Sequence, residues 1–73
     1  MSRLIRLDRT GHTTLAEWSG TGGDYERAVA AFDAEREAGM IASATAVDGS
    51  AEVVRELPAD AALVVMRRQI AGG

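Results

Sequence analysis

Tyr25, Ala28, Val29 and Phe32 fall at i, i+3, i+4 and i+7, so they form one apolar stripe on a helix. The stripe predicts a helix over Asp24 to Ala38. Asp24 and Glu26 stand in its first turn, where negative charge suits the helix dipole. Gly39 stands where a left-handed terminal residue is expected, with apolar Met40 behind it. A lone helix with one apolar stripe needs a partner layer, and the flanking segments read as strands.

Arg3 to Arg9 reads as a first strand, with Ile5 and Leu7 on one face. Thr10-Gly11-His12 reads as a turn, and Thr13 to Trp18 as the returning strand. Ser19 to Gly23 is a flexible connection. It is no phosphate loop, because a Walker ending requires a lysine. Beyond the helix, Met40 to Val47 and Ala51 to Leu57 form a hairpin about Asp48-Gly49-Ser50. Pro58-Ala59-Asp60 breaks that strand. Ala61 to Arg68 is a fifth, whose run Leu63-Val64-Val65-Met66 suits a central place or burial on both sides. The order ββ-α-ββ-β predicts an α+β fold, a mixed sheet of four to five strands with one helix packed across it. The expected core is Ile5, Leu7, Leu15, Val29, Phe32, Val53, Leu63 and Val65. Trp18 is assigned to the core rather than to a partner. Residues 1–68 form one domain, and 69–73 a loose tail.

A chain of 73 residues buries only about 60% of its unfolded surface. That leaves no room for a deep catalytic pocket, and no catalytic residue, resident cofactor or metal site is expected. Cysteine is absent and there is one histidine, which excludes disulfides, thiolate zinc sites and thiol nucleophiles. His12 reads as a solvated turn residue, and Asp48 and Asp60 as turn formers. All eight basic residues are arginine. Eleven acids bring the net charge to −3, which argues against nucleic acid as a partner, although Arg3, Arg6 and Arg9 could form a basic stripe with Arg67 and Arg68. The longest uncharged stretch, Ala38 to Val47, is too short to span a bilayer. No apolar signal core follows Arg3 and Arg6, so the expectation is a cytoplasmic protein without a membrane partner.

Two segments carry a resemblance. Leu4-Ile5-Arg6-Leu7 with Thr10-Gly11-His12-Thr13 is similar to the first hairpin of ubiquitin. Leu63-Val64-Val65-Met66-Arg67-Arg68-Gln69-Ile70-Ala71-Gly72-Gly73 is similar to the last strand and diglycine tail of that family. In layout, the chain resembles the ubiquitin-like β-grasp family, of the bacterial modifier or sulfur-carrier type.

The resemblance implies a β-grasp-like sheet and a reacting carboxylate on Gly73, with Gly72 giving clearance in a narrow channel of an activating enzyme that uses ATP. Arg67, Arg68 and Ile70 would meet that partner, the arginines by steering toward an acidic groove. The protein would be a reactant, not an enzyme. As a modifier it would be transferred to a target protein. As a sulfur carrier it would form a thiocarboxylate for a sulfur-transfer enzyme, a reading that the ending Ile70-Ala71-Gly72-Gly73 also resembles. The hairpin and long helix lean toward the modifier. The third reading is a small non-catalytic binding or structural subunit that uses its sheet for contacts. Without lysine, a modifier could not build lysine-linked chains of itself.

Overall fold

The computed structural model describes residues 1–46 and 48–68. Its elements are β1 (Ser2–Asp8), β2 (Gly11–Trp18), α1 (Gly23–Glu37), β3 (Met40–Thr45), β4 (Ala51–Val54) and β5 (Leu63–Arg68). They make an α+β fold with one five-stranded mixed sheet, ordered β2-β1-β5-β3-β4. β5 runs parallel to β1 and antiparallel to β3, and both hairpins are antiparallel. The expected central place of β5 is thus realised.

Both hairpin turns use one device. The Asp8 carboxylate accepts from the Thr10 N–H at 2.9 Å and from its hydroxyl at 2.7 Å. Asp48 does the same for Ser50 at 2.9 and 2.7 Å. An acidic side chain that bonds two residues ahead sets the bend locally. This pulls the first turn earlier than expected, onto Arg9 and Thr10, so that Gly11 pairs with Asp8 and His12 joins β2. The first hairpin also holds a bulge: Leu4 faces Ala16 while Ile5 faces Thr14, leaving Leu15 as the extra residue. Leu15 and Ala16 both pack against the core.

The helix ends as its sequence predicts. The Gly39 N–H donates to the Arg36 carbonyl, and Gly39 has φ of +94°. Ala28 and Phe32 are fully covered, with Tyr25 and Val29 packed alongside.

The buried face of the sheet differs from expectation. Leu4, Ala42, Ala44, Val64 and Met66 lie beneath the helix with Trp18, Phe32, Leu57 and Ala61. Ile5 is buried at 9% exposure, as expected, but its pairing sets it with Leu63 and Val65 on the other face, which no described element covers; there Leu7 is 45% and Val53 64% exposed. The inversion has a simple origin. β5 is apolar at both parities, so its own sequence does not say which set meets the helix. Trp18 is in the core as expected, at 1% exposure.

β4 also stops sooner than expected, at Val54 and not Leu57. The segment from Arg55 to Ala62 is irregular, and three side chains hold alternate carbonyls along it. Arg36 donates to Arg55 O at 2.8 Å, the Tyr25 hydroxyl to Leu57 O, and the Trp18 indole to Ala59 O at 3.1 Å. Backbone groups that would have extended the ladder are satisfied by the helix and β2 instead. Leu57, released from the strand, turns into the core.

Candidate functional site

Of the residues singled out for function, Arg67 and Arg68 can be placed. They close β5, opposite Ile41 and Met40 of β3. Strand alternation sends them to opposite faces: Arg67 stands on the open face with Val65, and Arg68 follows the parity of Met66. Both are exposed. They therefore stand on opposite faces at the end of β5 as described and do not form one patch. Ile70, Gly72 and Gly73, the rest of the expected site, lie outside the described residues, as does the whole 69–73 tail.

The expected basic stripe is broken up. Arg3 pairs with Glu17, its cross-strand neighbour, through Nε at 3.2 Å and Nη2 at 3.0 Å. Arg6 points the other way and reaches Glu35 of the helix at 3.3 Å. Arg27 pairs with Asp24 inside the helix at 3.0 Å. These partly exposed pairs each contribute about 0.2–1 kcal/mol, and they leave no continuous cationic band across the two faces.

Two carboxyls titrate below the usual range, both through their turns. Asp8 is lowered first by the Thr10 hydroxyl and then by the Thr10 N–H, with Arg6 adding attraction. Asp48 is lowered by the Ser50 hydroxyl and then by the Ser50 N–H. Each bond favours the charged form, which holds the bend. Among the described residues, no three histidine or acidic side chains gather as a metal site. No helix among them is long and apolar enough to cross a membrane.

The surface has two features that the sequence reading missed. One is the open sheet face, which carries exposed Leu7 and Val53 and half-buried Leu63 and Val65, with Arg67 at its end. Its signal was present in the apolar residues of both parities along β5. The other is a depression where β4 ends short of β3. No pattern announced it: the Arg55 carbonyl just past β4 accepts from Arg36, nineteen residues away. No family model, curated protein or solved structure matches the chain.

Proposed function

We propose that the chain is a ubiquitin-like protein modifier with a β-grasp domain, activated at the carboxylate of Gly73. The observation that carries this reading is the place of β5. The strand leading to the diglycine lies at the centre of the sheet, parallel to β1, with the helix across one face. That order is the one a β-grasp domain uses, and it roots the tail in the central strand. Arg67 and Arg68 then stand on either side of the root, so a partner channel receiving the tail would meet a cation on each wall.

The chemistry follows from the residues. The Gly73 carboxylate attacks the α-phosphorus of ATP in the partner enzyme, forming an acyl adenylate and releasing pyrophosphate. A thiol displaces AMP to give a thioester; this chain has no cysteine, so the thiol belongs to the partner. An amine of the target then displaces the thiol to form an amide. The ending Ile70-Ala71-Gly72-Gly73 favours a second reading, in which hydrosulfide displaces AMP from the acyl adenylate and leaves a thiocarboxylate.

Intact mass after incubation with ATP and an activating enzyme for ubiquitin-like proteins tests both. A thioester or amide adduct supports the modifier. Replacement of one oxygen by sulfur supports the carrier. An unchanged mass, together with full biological activity after deletion of Gly72 and Gly73, removes both and leaves the binding-subunit reading.

A further inference from the structure

β3 is longer than the edge strand beside it. β3 starts at Met40, but β4 pairs only with Ala42 to Thr45. Among the described residues, Met40 and Ile41 pair with β5 on one side and with no strand on the other. Successive strand residues turn their backbone groups to opposite edges, so one of these two presents its N–H and C=O outward. Among the described residues, no backbone hydrogen bond outside the strand ladders reaches either of them. The next carbonyl along the short strand, that of Arg55, is tied to Arg36 instead, which holds the chain away from β3. The result is a shallow notch of about 270 Å³, with Met40, Ile41, Val53 and Val54 on its walls and Arg36 and Arg55 at its rim.

The charge of the notch runs against that of the molecule. The chain carries eleven acids and a net charge of −3, yet among the described residues two arginines and no acidic residue line this place. Among the described residues, no acid pairs with Arg55. Free edge backbone, apolar walls and an unbalanced cationic rim together describe the complement of a short extended peptide with acidic side chains. We propose that this notch is a docking site for an extended acidic–apolar segment of a partner protein. The segment adds beside Met40 and Ile41 where β4 is missing, with a carboxylate at Arg55. The site is one strand away from Arg68, where the tail begins, but the proposal needs no tail chemistry.

The test uses the full chain, isotope-labelled, titrated with acetyl-Val-Glu-Val-Glu-Val-amide and followed by amide chemical shifts. No ATP or activating enzyme is present, so the result is independent of the proposal for Gly73. The expected result is saturable shifts largest at Met40, Ile41, Val53 and Val54. Affinity should fall about fivefold when glutamine replaces glutamate in the peptide, and by a similar factor in Arg55→Gln, in line with a rim charge pair. Arg55 offers only its backbone carbonyl to the fold, so Arg55→Gln leaves the domain intact. Absence of saturable shifts, shifts centred on Ile5 and Val65, or equal affinity for either peptide or for Arg55→Gln would overturn the proposal.

Discussion

The indole N–H of Trp18 donates to the carbonyl of Ala59 across 3.1 Å, joining the last residue of β2 to the segment that feeds β5. The ring is 1% exposed and lies tilted against Tyr25, centroids 6.2 Å apart. Trp18→Phe keeps most of the apolar body but removes the donor to the Ala59 carbonyl. Ala59 is only half-buried, so water can reach its carbonyl, and the lost hydrogen bond should cost about 0.5–1.5 kcal/mol in urea unfolding.

Tyr25 and Trp18 hold the same segment, through Leu57 and Ala59. Tyr25→Phe alone should cost about 0.5–1.5 kcal/mol. The double variant should deviate from the sum of the singles by about 0.5 kcal/mol or more, because both act on one strap. Strict additivity would show that the two bonds are independent.

The assignment of sheet faces is tested by a contrast. Met66→Ala, beneath the helix, should cost about 2–5 kcal/mol, whereas Val53→Ala on the open face should stay within about 0.5 kcal/mol. The opposite order in denaturant midpoints would mean that the helix covers the other face.

Gly39 has φ of +94°, and a Cβ there would meet no atom within 4 Å. Gly39→Ala therefore isolates backbone strain from steric clash. It should lower stability by about 1–2 kcal/mol, read from the thermal midpoint.

The turns predict an acid response. Asp8 and Asp48 have folded pKa values below the unfolded ones. Their stabilising effect is therefore complete above the ordinary carboxylate value of about 3.9 and is lost as pH falls through the folded values. In NMR titrations Asp8 should move up toward the ordinary value in Thr10→Ala, and Asp48 in Ser50→Ala. No movement would mean that the hydroxyls do not hold the carboxylates.

What could be read from the sequence was what local chemistry decides. The helix stripe, the Gly39 stop and the Asp48-Gly49 hairpin each depend on neighbours a few residues away, and each is present in the fold. The choice between Val64 and Val65 is different. Both are branched, apolar and adjacent, and only the helix arriving from elsewhere distinguishes them. The early end of β4 is likewise accompanied by a distant bond, from Arg36 to a carbonyl nineteen residues away. Of the candidate site, Arg67 and Arg68 can be placed. Their separation onto opposite faces follows from strand alternation alone.

The pairing of β1 with β5 joins Arg3 to Leu63 and Arg6 to Met66. During synthesis, the first strand must wait for residues some sixty positions later before the sheet can close. Contacts this distant in sequence slow folding, since a long loop has to be closed before any of them forms. A chain halted before Leu63 would have two hairpins and a helix but a gap where the sheet should be joined. On a ribosome, whatever follows Arg68 is made only after the strand that completes the domain.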